Sequence, residues 1–266
     1  MKKVLIIGAN SYIGQKFHEY INIFQGQNIE TSLVSASNGS WKSVDFKTFD
    51  AILHLSAIVH KKEKKNMKEL YNKVNHRLAV DIAIHAKNNG VKQFIFMSTA
   101  AVYGITTGCI SKETIPVPVT YYGMSKLAAE RDIVELQEES FKIAIIRPPM
   151  VYGDGCKGNY AKLKQAAKYL YLFPNYHNKR SVINIKKLNE FIADIILNKL
   201  TGIYLPQDDD FFDTCRMVTE ERNAMGQKTI LFPGFLITLL LGRVKMLDKI
   251  FGNFYYCDEK AICLKD

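Results

Sequence analysis

The chain has 266 residues, of which 47% are hydrophobic and 23% charged, a composition typical of a globular protein with a full hydrophobic core. Its formal net charge is +10, but the lysines are spread thinly along the chain. The one dense basic run, at residues 60–65, is interpreted as a solvated approach to a helix, so no nucleic-acid partner is predicted. A modest attraction for anionic substrates or an anionic membrane surface stays open.

The N-terminus runs from Met-Lys-Lys directly into a short apolar stretch that ends at Gly8. This predicts no signal peptide and a cytoplasmic protein. The cysteines lack C-x-x-C spacing, and neither they nor the six histidines show the spacing of metal ligands. We therefore expect no metal site and five free thiols, at Cys109, Cys156, Cys215, Cys257 and Cys263.

Residues 3–7 form a continuous apolar run typical of a buried parallel strand, and the turn from Gly8 to Gly14 then opens a helix at residues 15–24. Glycine at the first position permits a sharp reversal, and Gly14 lets the helix pack close to the sheet. The N–H groups of the helix start would face a pyrophosphate. The pattern predicts a dinucleotide site, with a tight turn without ligand as the alternative. The predicted contacts are Gly8, Asn10, Ser11, Tyr12, Ile13 and Gly14.

The segment Ser35-Ala-Ser-Asn38, after a second strand at residues 29–34, contains no carboxylate that would bind the ribose diol of NAD. With Lys42 nearby, NADP(H) is favoured as cofactor, and NAD(H) stays open. Asp45 and Phe46 lie where such a chain turns toward the adenine, although Asp45 fits a plain turn equally well. The next buried strand, at residues 51–57, ends in small residues that would let a cofactor lie against it. The cofactor contacts predicted after these two strands are Ser35, Leu55, Ser56 and Ala57.

A helix is predicted from Asn66 to the stop signal Asn88-Asn-Gly90. Its apolar positions follow helical spacing and are expected to face the core: Met67, Leu70, Tyr71, Val74, Leu78 and Ile82. Asn75 lies off this stripe. It is predicted either to face the active site as a substrate contact or to stand on an exposed helix face.

A strand at residues 91–97 brings Ser98 and Thr99 to its end, and a helix follows that carries Tyr122-Gly-Met-Ser-Lys126. A phenol and an ammonium four residues apart lie on one helix face, so the cation is expected to lower the pKa of Tyr122 from about 10. Thr99 is the predicted hydroxyl for the oxygen that gains or loses charge. The set Thr99, Tyr122 and Lys126 fits hydride chemistry at a carbonyl or alcohol.

Strands alternating with helices across the first 150 residues predict an α/β fold with a doubly wound parallel sheet. The dinucleotide-binding Rossmann domain is expected at residues 1–153 and 181–200, and a smaller, discontinuous substrate lobe at 154–180 and 201–266. In the lobe, residues 160–172 are predicted as a basic amphipathic helix. Residues 230–244 are apolar but shorter than the roughly 20 residues of a membrane span. A buried helix is favoured there, with a membrane-surface helix as the alternative.

The motifs, taken together, resemble the extended short-chain dehydrogenases, the family of NAD-dependent sugar epimerases and dehydratases. The resemblance covers residues 1–205, with Ser11 standing where the family pattern has a third glycine. The C-terminal part is similar to bacterial reductases of UDP-4-keto-6-deoxy-N-acetylhexosamines, which make precursors for capsule and O-antigen. The motifs that carry it are Gly8 to Gly14, His54-Leu-Ser-Ala57, Ser98-Thr-Ala-Ala-Val-Tyr-Gly104, Tyr122-x-x-x-Lys126 and Arg147-Pro-Pro-Met-Val-Tyr-Gly153.

The resemblance implies that Lys126 also holds the nicotinamide ribose, that Pro148 and Met150 flank the nicotinamide, and that Asn159 and Arg180 bind the nucleotide diphosphate. The 4,6-dehydratases of the family carry an acidic pair after the active-site threonine, whereas this chain has Ala100-Ala101. The implied function is therefore a 4-ketoreductase of a UDP-linked sugar. A 4-epimerase and a non-catalytic NAD(P)-sensing protein stay as alternatives, and a homodimer stays open.

Overall fold

A computed structural model describes residues 1–37, 39–59 and 63–257, apart from the side chains of Lys65, Asn159 and Lys245. Part of the basic run at 60–65, together with Asn38 and Cys263, lies outside the described residues. The strands are β1 (Lys2–Ile7), β2 (Ile29–Val34), β3 (Ala51–His54), β4 (Gln93–Met97), β5 (Gly108–Ile110), β6 (Lys142–Ile146), β7 (Met150–Tyr152), β8 (Leu172–Asn175), β9 (Val182–Asn184), β10 (Gly202–Tyr204), β11 (Ile230–Pro233) and β12 (Phe254–Tyr256). The helices are α1 (Tyr12–Tyr20), α2 (Lys68–Tyr71), α3 (Leu78–Asn88), α4 (Tyr121–Val134), α5 (Asn159–Ala167), α6 (Ile185–Leu197), α7 (Thr214–Ala224), α8 (Phe235–Leu240) and α9 (Lys245–Phe251).

Six parallel strands form the main sheet in the order β10-β6-β4-β3-β1-β2, which confirms the predicted doubly wound α/β fold. The apolar run of β1 is continuous because both faces of the sheet are covered. Val4 and Ile6 pack on the side of α1 and α6, whereas Leu5 and Ile7 pack on the side of α3 and α4.

The sheet takes its edge strand β10 from residues 202–204, which the sequence had assigned to the lobe. Three short parallel pairs lie outside the main sheet: β5 with β12, β7 with β9, and β8 with β11. The predicted helix at 160–172 ends earlier, because α5 stops at Ala167 and the chain enters β8 at Leu172.

The apolar segment at 230–244 is not the single buried helix that was favoured. It forms β11 and then α8, separated at Pro233 and Gly234. Gly234 lies so close to β8 that a Cβ on it would stand 2.1 Å from the carbonyl oxygen of Asn175, so only glycine fits there. Within the described ranges, every helix is too short or too polar to cross a bilayer.

The prediction of five free thiols is wrong for one pair. Cys109 and Cys257 form a disulfide, with Cα atoms 5.9 Å apart and 148 residues between them in sequence. They meet because β5 and β12 run side by side, with the backbone N–H of Cys257 donating to Ile110. Cys156 and Cys215 are free.

Candidate functional site

The glycine turn between β1 and α1 is built for close approach of a ligand. Gly8 adopts φ +128°, and a Cβ there would lie 3.1 Å from the Ser56 nitrogen at the end of β3. A Cβ on Gly14 would stand 2.6 Å from Ser11 Oγ and 3.1 Å from the Gly8 carbonyl oxygen. The turn therefore leaves a cradle at the start of α1, whose first turn carries no acidic residue. This cradle fits a dinucleotide pyrophosphate.

Ser11, the departure from the family pattern, caps α1: its Oγ accepts a hydrogen bond from Gly14 N over 3.0 Å. Tyr12 begins the helix, and its hydroxyl donates to the Asp154 carbonyl over 3.1 Å, joining the turn to the lobe. Burial, reinforced by nearby Cys156 and Asp154, raises the pKa of Tyr12 to about 12. Asn10 is exposed and Ile13 is half-buried beside this turn.

The expected contacts for the adenosine half are divided between surface and core. Ser35 is half-buried after β2, with its Oγ 3.0 Å from Ser37 Oγ, and Ser56 and Ala57 are half-buried after β3. Asp45 is exposed and caps a short 3₁₀ turn through Lys47 N. The side chains of two further predicted contacts, Leu55 and Phe46, are buried in the hydrophobic clusters on opposite faces of the sheet.

The predicted catalytic set comes together at the ends of β4 and α4. Thr99 Oγ1 accepts from Ala101 N over 3.1 Å, and the Thr99 side chain lies close enough to Tyr122 to act on the pKa of its phenol. Gly123 allows this meeting, since a Cβ on it would lie 2.6 Å from the Ala101 carbonyl oxygen.

The start of α4 is held by two acceptors. Thr120 Oγ1 accepts from Gly123 N over 3.0 Å. The Glu63 carboxylate accepts from Tyr121 N over 3.0 Å and from Tyr122 N over 2.9 Å. Sequence reasoning did not select Glu63, whose charge sits where a helix N-terminus favours an anion.

The electrostatics correct the expectation that Lys126 lowers the pKa of Tyr122. Burial raises that pKa to about 12, partly opposed by the hydrogen bond with Thr99 and assisted by nearby Tyr71. Lys126 is itself buried, with Nζ 3.9 Å from the centroid of the Phe96 ring. Burial lowers its pKa to about 7, and the charge of Glu130 opposes that fall. Loss of solvent is the largest cause of the pKa shift of each group.

A buried polar network lies directly behind Lys126. Arg147 Nη2 and Glu130 Oε2 form an ion pair, while Ser98 donates to the same carboxylate and Arg147 Nη1 donates to the Tyr103 hydroxyl over 2.8 Å. The Tyr256 hydroxyl donates to the Arg147 carbonyl over 2.7 Å. Sequence reasoning missed this network. The spacing from Lys126 to Glu130, one further helical turn, was the available signal.

Asn75 is fully buried, so the alternative of an exposed position on the helix is wrong, and its contact with the substrate stays a prediction. Its Oδ1 accepts from Ile58 N over 2.7 Å, and its Nδ2 donates to the Ile58 carbonyl over 3.1 Å and to Ser125 Oγ over 3.3 Å. It therefore joins the chain after β3 to the catalytic helix. The reason is a π-helical turn at Asn72–Arg77, which rotates the helix so that Asn75 faces inward and Leu70 is exposed.

Pro148 is buried and its carbonyl accepts from Ala100 N over 3.0 Å, beside the catalytic strand end. Met150 is half-buried at the start of β7. Arg180 donates from Nη1 to the Gly252 carbonyl over 2.7 Å and packs against the Phe254 ring, and burial lowers its pKa. Asn159 begins α5, and its side chain lies outside the described part.

An open cleft of about 660 Å³ lies between β9, α6 and α7. The run Asp208, Asp209 and Asp210 lines it together with Lys186, Lys187 and Arg216, and Lys187 forms an ion pair with Asp209. Neither Arg180 nor Tyr122 is among its lining residues. The carboxylates make it a poor site for a diphosphate.

Comparison with known proteins agrees with this geometry. The chain is 29% identical over 277 residues to a UDP-glucose 4-epimerase of Vibrio cholerae, covering 95% of this chain and 83% of that protein. It is 26% identical to the N-acetyl-alpha-D-glucosaminyl-diphospho-ditrans,octacis-undecaprenol 4-epimerase of Escherichia coli O157:H7, covering 95% and 82%. The fold is similar to that of a UDP-glucuronic acid 4-epimerase from Bacillus cereus in complex with NAD, with TM-score 0.72, 16% identity, and 96% and 88% covered.

Residues 4–191 match the model of the NAD dependent epimerase/dehydratase family, a match that spans the glycine turn, the Thr99–Tyr122–Lys126 set and the Glu130–Arg147 ion pair. The family that the motifs suggested is thereby confirmed. The chain belongs to the NAD-dependent epimerase/dehydratase family.

Proposed function

We propose that the protein is an NAD(P)-dependent oxidoreductase that acts at C4 of a nucleotide sugar, as a 4-ketoreductase of a UDP-linked 4-keto-6-deoxy-N-acetylhexosamine. The observation that carries the proposal is that Thr99, after the end of β4, and Tyr122, at the start of α4, lie side by side. A bound nicotinamide dinucleotide supplies the hydride. Gly8, Ser11 and Gly14 would hold its pyrophosphate, and Lys126, Pro148 and Met150 its nicotinamide half.

The proposed role of Tyr122 follows from its protonation state. Tyr122 carries its proton at neutral pH, because its pKa is about 12. It can therefore give this proton to the C4 oxygen, with Thr99 Oγ1 directing the same oxygen. A positioned acid of this kind contributes about 10²–10⁴ in rate. Ala100 and Ala101 offer no acid or base, so chemistry at C5 or C6 is not expected.

A 4-epimerase is the second candidate, and the two sequence relatives with that activity favour it. The absence of a carboxylate between Ser35 and Val44 supports an exchangeable NADP(H) and hence the reductase. A non-catalytic cofactor sensor is disfavoured by the complete catalytic set. Arg180 is proposed to bind the substrate diphosphate, because a guanidinium suits phosphate oxygens.

The deciding experiment incubates the purified full chain with a UDP-4-keto-6-deoxy-N-acetylhexosamine and NADPH and measures the sugar nucleotide by mass spectrometry. A reductase raises the mass of the sugar by two units and consumes equimolar NADPH. Interconversion of UDP-hexoses at unchanged mass without added cofactor establishes the epimerase instead. The proposed chemistry is overturned if the full chain carries out neither reaction while a known reductase and a known epimerase are active under the same conditions.

A further inference from the structure

An apolar surface of the lobe has no partner among the described residues. Helix α8 turns Ile237 into the cluster that holds Phe173 and Phe251, but leaves its remaining large side chains in solvent. Phe235 is 62% exposed and Leu239 59% exposed. Four exposed apolar residues on a six-residue helix are far more than the single exposed residues common on protein surfaces. They are Phe235, Leu236, Leu239 and Leu240.

The strand pair that precedes α8 carries further exposed apolar residues. Ile230 and Leu172 are paired in the parallel register of β11 and β8, and both are exposed. The Ile230 N–H donates to the Tyr171 carbonyl over 2.7 Å, which places the exposed Tyr169 and Tyr171 beside the strand pair. We call the α8 residues, the exposed strand residues and these two tyrosines the lobe face. It combines aliphatic side chains with aromatic rings that carry a polar group, the combination enriched at membrane–water interfaces.

Exposed cations border the lobe face, and one carboxylate, that of Asp248, lies beside the end of α8, where its Oδ1 accepts from Gly242 N over 2.7 Å. The chain segments that build the lobe face carry no negative charge. No Asp or Glu occurs at residues 155–189, which include α5 and β8, or at 222–247, which include β11 and α8. Arg222 donates to the carbonyls of Lys168 and Lys228, over 2.9 and 3.0 Å. This brings two exposed lysines together next to the tyrosines. Arg243, one turn after Leu239, is also exposed.

We infer that the lobe face docks on an anionic phospholipid bilayer, inserting α8 and the strand-pair residues at the headgroup level while Lys168, Lys228 and Arg243 contact lipid phosphates. The charge of the lobe face distinguishes between two possible occupants, an anionic bilayer and a second copy of this chain. A second copy would bring like charges together, whereas a leaflet of anionic lipid attracts each nearby Lys or Arg. An apolar patch ringed by cations is the arrangement of peripheral interfacial binding, and its short helix does not span. The inference does not depend on the proposed reaction.

The test is co-sedimentation of the full chain with vesicles of equal parts phosphatidylglycerol and phosphatidylcholine, compared with pure phosphatidylcholine. The variant Phe235→Ser/Leu239→Ser should lower the partition coefficient on anionic vesicles at least about tenfold. The matched control is Ile23→Ser/Phe24→Ser, which removes an equally exposed aliphatic and aromatic pair, 71% and 68% exposed, after α1. This control should bind like the parent chain.

A second pair of variants tests the charges. Lys168→Glu/Lys228→Glu should also lower binding at least about tenfold, whereas Lys47→Glu/Lys92→Glu, with the same change of net charge, should not. Equal losses in test and control variants, or no binding by the parent chain, overturn the inference. So does a dimer in analytical ultracentrifugation that Phe235→Ser/Leu239→Ser dissociates, because the occupant is then a second copy.

Discussion

Arg147 Nη2 lies 2.6 Å from Glu130 Oε2 in the interior, where both side chains are at least nine-tenths shielded from solvent. Glu130 stands one helical turn after Lys126 and opposes the burial-driven fall in the pKa of that ammonium. The ion pair thus joins the end of β6 to α4. The charge of Glu130 also acts on Lys126, a predicted catalytic residue.

Glu130→Gln should lower the free energy of unfolding by about 3–5 kcal/mol, because it leaves the Arg147 guanidinium buried without its counter-charge. Urea unfolding at neutral pH measures it. The matched control, Glu69→Gln, removes the exposed partner of Arg77 and should cost less than about 1 kcal/mol. Equal effects of the two substitutions would contradict a dominant role for the buried pair.

Tyr122→Phe should reduce turnover by about 10²–10⁴ while dinucleotide affinity and the unfolding midpoint stay close to those of the parent chain. The substitution removes only the phenol hydroxyl, which lies beside Thr99. Tyr121→Phe is the control, since Tyr121 is also half-buried at the same helix start. Steady-state rates decide the matter: parental kcat in Tyr122→Phe excludes this phenol as the acid.

The stability of the ligand-free protein should rise with pH above about 7 because of Lys126. The pKa of Lys126 is lowered to about 7 in the folded protein from 10.5, so above pH 7 the unfolded chain holds a proton that the folded chain has released. The free energy of unfolding then increases by at most about 1.4 kcal/mol per pH unit toward the ordinary lysine pKa. Urea unfolding of Lys126→Met between pH 7 and 9 should lack this rise, and Lys92→Met, at an exposed position, should keep it. Parallel curves for all three proteins would show that Lys126 stays charged.

Gly14→Ala should weaken dinucleotide binding at least about tenfold, because the new methyl group would press on Ser11 Oγ and on the Gly8 carbonyl and deform the cradle. Gly26→Ala is the control: its nearest contact would be an ordinary 3.6 Å, and its backbone is helical. Isothermal titration with NADPH gives both affinities. A Gly14→Ala protein that binds as tightly as Gly26→Ala would remove the glycine turn from the cofactor site.

NADPH should bind more tightly than NADH, since a 2′-phosphate meets no carboxylate after β2 and has the exposed Lys42 nearby. Lys42→Glu should reduce this preference, and Lys47→Glu, five residues further along the same surface segment, should not. Dissociation constants for both cofactors in the three proteins test the point. Tighter NADH binding by the parent chain would reverse the assignment.

Local patterns in the chain were enough to predict the parallel sheet, the glycine turn and the family. An uninterrupted apolar run followed by Gly8 predicts a buried strand and a tight turn. A strand of a parallel sheet is covered on both faces, so all of its side chains are apolar. The spacing of Tyr122 and Lys126 also fixed their common helix face. These features depend on residues close together in sequence.

Features that depend on distant segments could not be read in the same way. The pairing of β5 with β12 joins Cys109 to Cys257, and the π-helical turn at Asn72–Arg77 turns Asn75 inward. The pKa of Tyr122 was predicted in the wrong direction from its spacing to Lys126, because the loss of solvent around the phenol comes from packing by other segments. The extent to which an ionisable group is buried depends on all the segments packed around it, whereas helical spacing identifies only one neighbour.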